Sequence, residues 1–408
     1  MKTVTAEQLA ARLEGLPRNP RIIASGNFAT PHALVTIADR SLESYRLHIL
    51  NAQPGLPDRA GVVHETSFVG PGVRKSPRLN YVPCRLSLVP VLFHRRLQPD
   101  VVFLHTSTPR GGQVSLGIEV NIMPAAIEAA RARGALVVAQ ANRHMPFTFG
   151  DALVDLEEID LLLEADEPLI SAAPSPPDEI AQQIGSTIAD RVPNGATLQL
   201  GIGAVPDAVL ASLTNHRHLR IWTEMFSDGV LPLHEAGCFD PNSPLSPSFI
   251  FGSQRLYDWV HRNKRVRMLR TETTNDPSRI ARQPAMTSVN AALQVDLFGQ
   301  ANASRIKGRI FSGFGGSTDY IVGALHSPGG HAYIALASWH PRADVSTIVG
   351  HITEPVTSFQ HSAIVSENGL ARVFGNSERE QAHEIIENVA HPDAREELRE
   401  FAAAAGIA

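Results

Sequence analysis

The chain states one short pattern twice. Ser25-Gly26-Asn27-Phe28-Ala29-Thr30-Pro31-His32-Ala33-Leu34 lies in register over Leu200-Gly201-Ile202-Gly203-Ala204-Val205-Pro206-Asp207-Ala208-Val209. The identities are Gly26/Gly201, Ala29/Ala204, Pro31/Pro206 and Ala33/Ala208, at one offset of 175 residues (201 − 26). Each copy follows an apolar run, Arg21-Ile22-Ile23-Ala24 or Ala196-Thr197-Leu198-Gln199-Leu200, and opens an apolar helical pattern with proline near its first turn. The pattern reads strand, tight glycine turn, helix N-terminus. Such a junction gathers backbone N–H groups and suits an anion or a developing oxyanion. Two copies predict two related α/β halves with the working site in a cleft between them.

The rest of the chain repeats the same punctuation. Val101-Val102-Phe103-Leu104-His105 reads as a buried strand, and Ile122 to Ala130 reads as a helix with Pro124 early and Gly134 beyond its end. Ala135 to Gln140 is the next strand. Strands alternating with helices predict mainly parallel sheets covered on both faces. Ala172-Ala173-Pro174-Ser175-Pro176-Pro177 reads as a linker. The expected domains are therefore 1–178 and 179–408. A long helical tail from Ser377 to Ala405 is expected to pack on the second. Thr5 and Gln8 have capping-box spacing at the start of an amphipathic helix.

Composition narrows the function classes. With 408 residues, 43% apolar and 19% charged, the chain can bury a core in each half. A net charge of −5 gives no reason to expect nucleic acid or an anionic membrane as partner. No stretch approaches the roughly 20 apolar residues of a membrane span, and no signal-peptide pattern opens the chain. A cytoplasmic protein is expected. Cys84 and Cys238 read as inert thiols, and His216-Arg217-His218 reads as a polar loop, with no metal site expected.

Chemistry concentrates in the second half. His218 to Thr223 reads as a strand that runs into Glu224-Met225-Phe226-Ser227-Asp228-Gly229. Ligands of open α/β sheets bind at the carboxyl ends of strands, which puts Glu224 near the turn Gly201-Ile202-Gly203. A second glycine run, Ser312-Gly313-Phe314-Gly315-Gly316-Ser317, follows the strand-like Lys307-Gly308-Arg309-Ile310. Two glycine turns and a carboxylate at a strand end form a kit for covalent attack with an oxyanion site. A dinucleotide fingerprint fits less well, because Pro206 occupies the third glycine position. Glu235 and Glu367 rank below Glu224, since neither ends a strand beside a glycine turn.

Several of these stretches resemble the acetyl-CoA hydrolase/transferase family. They are Leu198 to Val209, Thr223 to Val230, Ser288 to Gln300 and Ser312 to Gly316. Gly111 to Gly117, Asn142 to Pro146 and Ala390 to Asp393 extend the likeness. The resemblance implies two CoA-transferase-like (NagB/RpiA-like) α/β domains. It implies a CoA-transferase that handles acyl-CoA and small carboxylates of acetate, butyrate or 4-hydroxybutyrate type, with CoA as substrate and no tightly bound cofactor. A homo-oligomer, a homodimer or higher, is expected. Glu224 would attack the thioester carbonyl to give a mixed anhydride and CoA thiolate. The thiolate would then form a glutamyl-CoA thioester, and a second carboxylate would reverse the sequence. Asn290 would orient Glu224 by a side-chain hydrogen bond. Backbone N–H groups near Ile202 and Gly316 would hold the oxyanion. Gly201, Ile202, Gly203, Ala204, Val205, Gly313, Phe314, Gly315 and Gly316 would line the CoA path. Hydrolysis by the same glutamate, or a non-catalytic small-molecule-binding relative, remains open. Two departures stand out: Gln360 replaces an expected arginine, and Val373-Phe374-Gly375-Asn376-Ser377 lacks an expected basic residue. Each removes a charge that could pair with a substrate carboxylate or a CoA phosphate.

Overall fold

A computed structural model describes residues 1–201, 203–357 and 360–408. The chain divides into two compact units. The first comprises Met1–Ala173, Leu245–Thr274 and Ile310–Gly315; the second comprises Pro174–Pro244, Asn275–Arg309 and Gly316–Ala408. The first boundary falls inside the proline-rich stretch. The later ones return two segments to the first unit.

In the first unit, β1 (Lys2–Thr3), β2 (Arg21–Ala24), β3 (Tyr45–His48), β4 (Val62–Thr66), β5 (Leu79–Tyr81), β6 (Val101–Thr106), β7 (Leu136–Asn142) and β8 (Leu161–Ala165) build one sheet in the order β1-β8-β7-β6-β2-β3-β4-β5. Every pairing in it is parallel. β6 and β7 are buried along their whole length, as uninterrupted apolar runs require of strands covered on both faces. Its helices include α1 (Ala6–Glu14), α2 (His32–Ser41) and α3 (Met123–Arg131). Thr5 and Gln8 form the expected capping box on α1. Pro124 sits in the first turn of α3, and Gly134 takes φ 66° just past its end. Leu34, Val35 and Ala38 of α2 pack with Ile22, Leu47 and Phe103 in one core. Each fully buried aliphatic side chain of that kind contributes roughly 1.5–3 kcal/mol.

In the second unit, α4 (Glu179–Ala189), β9 (Thr197–Leu200), α5 (Ala204–Ser212), β10 (Arg220–Trp222), β11 (Thr287–Ala291), α6 (Ser317–His326), β12 (His331–Ala335), β13 (Ala363–Ser366) and β14 (Gly369–Arg372) follow in chain order. Their strands lie in the order β10-β9-β11-β12-β13-β14. All these neighbours are parallel except the hairpin β13–β14. Both copies of the repeat are thus strand–turn–helix units, β2 to α2 and β9 to α5, each strand lying between two parallel neighbours.

Two local expectations change. The tail from Ser377 to Ala405 is not one helix. It is α7 (Glu378–Asn388) and α8 (Arg395–Ala405), parted by a turn with Pro392 at its first helical position. Proline there lacks the N–H that a continuous helix needs. Ala382, Ile385, Leu398 and Ala402 nevertheless share the core of the second unit. The stretch 307–310 is a turn before a two-residue strand, since Lys307 and Gly308 take φ 50° and 74°. Among the described residues, no helix is long and apolar enough to cross a membrane.

Candidate active site

The two copies of the repeated turn have different fates. In the first unit, Gln140 of β7 reaches the start of α2, where its Oε1 accepts from Ala33 N at 3.1 Å and Leu34 N at 3.4 Å. The turn itself is pinned. Buried Asn27 has φ 48° and donates from Nδ2 to Glu119 Oε2 at 2.7 Å. His105, also buried, bonds Ala29 O through Nδ1 at 3.2 Å and Asn142 Nδ2 through Nε2 at 3.0 Å. Desolvation lowers its pKa to about 4, so it is a neutral ring. The Ala29 carbonyl accepts from Nδ1–H, which fixes the tautomer. This copy satisfies its own orphan donors.

The second copy leaves its donors open. Gly203 is the N-cap of α5 at φ 129°, a conformation that a side chain strains. Among the described residues, no side chain accepts from Ala204 N or Val205 N. Gly201 closes β9, and Thr223 Oγ1 donates to Leu200 O at 3.2 Å, tying the ends of β9 and β10 together. Gly201, Thr223 and Met225 line the same small cavity. Ile202 lies outside the described residues.

Glu224 follows that tie. Asn275, itself buried, donates from Nδ2 to Glu224 Oε2 at 3.4 Å. Gly316 is the N-cap of α6. A Cβ built on Gly316 would collide with both Asn275 Nδ2 and Glu224 Oε2. Glycine is required at 316 by crowding, whereas Gly203 is required by its dihedral. Glu224 therefore sits against the start of a helix, where first-turn N–H groups favour negative charge. Burial opposes that charge and pushes the Glu224 carboxyl up to about 7; the Asn275 hydrogen bond pulls down, and the charge of buried Asp319 in the first turn of α6 pushes up. Desolvation is the largest of the three influences. The result is a carboxylate held close to its ionisation point, a property concentrated at functional sites.

Asn290 is placed differently from the expectation. Its Nδ2 donates to Ser288 Oγ at 2.9 Å and to Gln199 Oε1 at 3.2 Å. Ser288 Oγ also donates to Gln199 Oε1 at 2.6 Å. These three side chains span the neighbouring strands β9 and β11, so Asn290 braces the strand that ends at Gly201. The asparagine on Glu224 is Asn275, which sequence reasoning missed. It lies 51 residues from Glu224 in the chain, outside every glycine motif, and no spacing rule points to it.

The second glycine run is divided between the units, with Gly313, Phe314 and Gly315 in the first and Gly316 in the second. In the first unit the run is packed tightly. A Cβ on Gly313 would lie 2.5 Å from Ser67 O, Gly315 takes φ 58°, and Gly315 O accepts from Leu86 N at 2.9 Å. The alternative carboxylate Glu367 is occupied, accepting from Ser338 N at 2.9 Å and from the Ser338 hydroxyl. His216 bonds Val192 O at 3.0 Å. Buried Cys238 donates to Thr214 O, and burial raises its pKa. Gln360 and Phe374 to Asn376 line one cavity of about 500 Å³. Ser358 and Phe359, beside Gln360, lie outside the described residues.

Comparison with known proteins gives a consistent picture. Residues 21–174 match the acetyl-CoA hydrolase/transferase N-terminal domain, and residues 252–402 match the corresponding C-terminal domain. The chain is 34% identical to a 4-hydroxybutyrate coenzyme A transferase of Clostridium kluyveri, over 97% of this chain and 96% of that one. The crystal structure of RipA from Yersinia pestis superposes with a TM-score of 0.92 at 27% identity, covering 100% and 98% of the two chains. A 4-hydroxybutyrate CoA-transferase from Porphyromonas gingivalis gives 0.81 at 28% identity, covering 99% and 98%.

Proposed function

The chain belongs to the acetyl-CoA hydrolase/transferase family, and on that premise we propose that it moves CoA between an acyl-CoA and a small carboxylate through Glu224. The observation that carries the reading is Glu224 itself, held by Asn275 against the N-cap of α6 with its pKa raised to about 7. A carboxylate is a weak nucleophile in water, where its oxygens are fully hydrated. Burial strips that hydration and raises the basicity of the anion, and the fixed geometry holds one oxygen ready for attack. Asn275 bonds Oε2 of that carboxylate.

Ionised Glu224 adds to the thioester carbonyl, and the oxyanion that forms is met by backbone N–H groups of the Gly201–Val205 turn and of the Gly316 N-cap. Loss of CoA thiolate leaves the mixed anhydride. The thiolate returns to the glutamyl carbonyl, releases the first carboxylate and leaves a glutamyl-CoA thioester. A second carboxylate, of acetate, butyrate or 4-hydroxybutyrate type, takes the CoA by the same steps in reverse. One thioester is exchanged for another, so the reaction is close to isoenergetic. CoA enters and leaves as substrate.

The test is mass spectrometry after incubation with acyl-CoA, followed by borohydride. The expected result is CoA adduction or reduction on the peptide holding Glu224, absent in Glu224→Gln. Labelling on another peptide, or normal transfer by Glu224→Gln, overturns the reading. Addition of a carboxylate acceptor separates transfer from hydrolysis. Transfer yields a new acyl-CoA, and hydrolysis yields free CoA whether or not the acceptor is present.

A further inference from the structure

The carboxyl edge of the second unit's sheet carries Glu224. The opposite, amino edge carries a cavity of about 600 Å³ that the transfer chemistry does not use. Its walls include His331 and Tyr333 at the start of β12, Ala363 at the start of β13, Arg372 at the end of the returning strand β14, Arg191 and Phe374.

The register explains the cluster. Tyr333 pairs with Ala363, and Ala363 pairs with Arg372. The three residues form one row across three strands, and residues opposite one another share a face of the sheet. Ala363 is small and leaves the space between Tyr333 and Arg372 open. α4 packs over β13 and β14 and delivers Arg191 just beyond its C-cap Asp190. The two guanidinium groups thus come to one cavity from a helix and a strand. Their charges both act on the Tyr333 hydroxyl, partly offsetting the rise that burial imposes on it. Neither arginine has an ion-pair partner among the described residues. Tyr333 is 3% exposed, and its hydroxyl has no hydrogen-bond partner among the described residues. A tyrosine hydroxyl at the cavity wall, with two guanidinium groups that lack ion-pair partners among the described residues and an imidazole beside it, is complementary to a phosphate.

The cavity is far larger than one phosphate needs. Phe374, 59% exposed, is shared with the adjoining cavity of about 500 Å³. That second space is lined by Phe298, Gln300, Gln360, Asn376 and Glu378, with no lysine or arginine among the described residues of its lining. Gln360 stands where the family resemblance led us to expect an arginine, and Asn376 lies in the stretch 373–377 that lacks an expected basic residue. Both fall in one amide-rich pocket whose charged lining residue is Glu378. Carboxamides and a carboxylate suit the edge of a neutral heteroaromatic ring, and an exposed phenyl face suits stacking.

We propose that the two adjoining cavities form a mononucleotide site. The phosphate is held by Arg191, Arg372 and Tyr333, and the base lies against Phe374 with its edge towards Gln360 and Asn376. The site is separate from Glu224 by its place on the other edge of the sheet. The ligand proposed is a free mononucleotide, distinct from the acyl-CoA being turned over.

Titration calorimetry of the full chain with AMP and with inorganic phosphate tests this. AMP is expected to bind saturably, and phosphate more weakly. The double variant Arg191→Gln/Arg372→Gln should weaken AMP binding by about tenfold or more. Tyr333→Phe should weaken AMP and phosphate together. Phe374→Ala should weaken AMP and leave phosphate unchanged. All the variants should keep wild-type acyl transfer without AMP, which also shows that they fold. The proposal is overturned if AMP fails to saturate at millimolar concentration, or if the double variant binds it as the wild type does. It is equally overturned if the double variant raises the KM for acyl-CoA by about tenfold, because the pocket would then belong to the CoA substrate.

Discussion

Asn275 Nδ2 stands 3.4 Å from Glu224 Oε2, and the two side chains fill the space that a side chain at Gly316 would occupy. Three separate chain segments therefore fix one carboxylate. Removing the amide in Asn275→Ala takes away a hydrogen bond that favours the charged form. The apparent pKa of Glu224 should rise, and kcat for acyl transfer at neutral pH should fall by about tenfold. Asn275→Asp should do worse, because it sets a second carboxylate beside the first. Steady-state kinetics, with circular dichroism as the folding control, checks both.

The pH profile follows from the same geometry. Glu224 must be ionised to attack, and its carboxyl is pushed up to about 7 by burial. The rate of acyl transfer should therefore climb through pH 7 instead of reaching its plateau by pH 6. Asp319→Asn removes the like charge that also pushes Glu224 up, so its ascending limb should move to lower pH. A limb that stays in place in Asp319→Asn would show that the buried Asp319 carries no charge.

Gly316→Ala is the sharpest steric test. The added methyl meets Glu224 Oε2 and Asn275 Nδ2 directly. Its backbone, at φ −103° and ψ −3°, accepts alanine without strain. The damage should thus be local. We expect a loss of about a hundredfold or more in kcat, with a melting temperature close to wild type. Gly203→Ala differs, since its φ of 129° strains any side chain while the space around it is open. It should lower stability as well as activity.

The sequence made the architecture readable because parallel strands covered on both faces are uninterrupted apolar runs. β6 and β7 announce themselves in that way, as do proline and glycine at the two ends of α3. The repeated turn and strand polarity together single out the strand end that carries Glu224. Asn275 was not legible, since a hydrogen bond between residues 51 apart leaves no periodic trace. Asn290 invited the wrong partner because it lies inside a recognised motif, although its amide serves Gln199 and Ser288. The asymmetry of the two repeat copies was equally hidden. Gln140 caps α2 from a distant strand, and nothing near the first glycine turn announces it.

Charge burial at Glu224 should appear in stability as well as in rate. Its pKa in the fold, about 7, lies above the ordinary 4.5, so the folded state favours the protonated form. The contribution is fully present below pH 4.5 and is lost as pH rises through 7. Glu224→Gln carries no charge to desolvate. It should be more stable than wild type above pH 7, by on the order of 3 kcal/mol, and the difference should vanish towards pH 4.5. Urea denaturation of both proteins at several pH values measures this. A constant difference across the range would mean that Glu224 stays solvated in the folded chain.

The scaffold that carries the second glycine turn depends on one close approach. Gly185, buried in α4, lets that helix lie against α5; a Cβ there would sit 2.7 Å from the carbonyl carbon and 2.8 Å from the Cβ of Ala208. Alanine would raise the intrinsic helix propensity of α4 by about 1 kcal/mol. The clash opposes this, and overpacking of a tight contact costs about 1–3 kcal/mol. Because the atoms met include backbone, no rotamer change relieves the clash. The helices must separate, and Gly185→Ala should lower the melting temperature. Ala208→Gly in the same chain should restore only part of the loss, since it deletes the Cβ contact and leaves the carbonyl carbon in place. α5 begins at Ala204, beside Gly203, so any shift of α5 is passed to the open N–H groups of that turn. Acyl transfer should accordingly fall in Gly185→Ala even at temperatures where the protein remains folded.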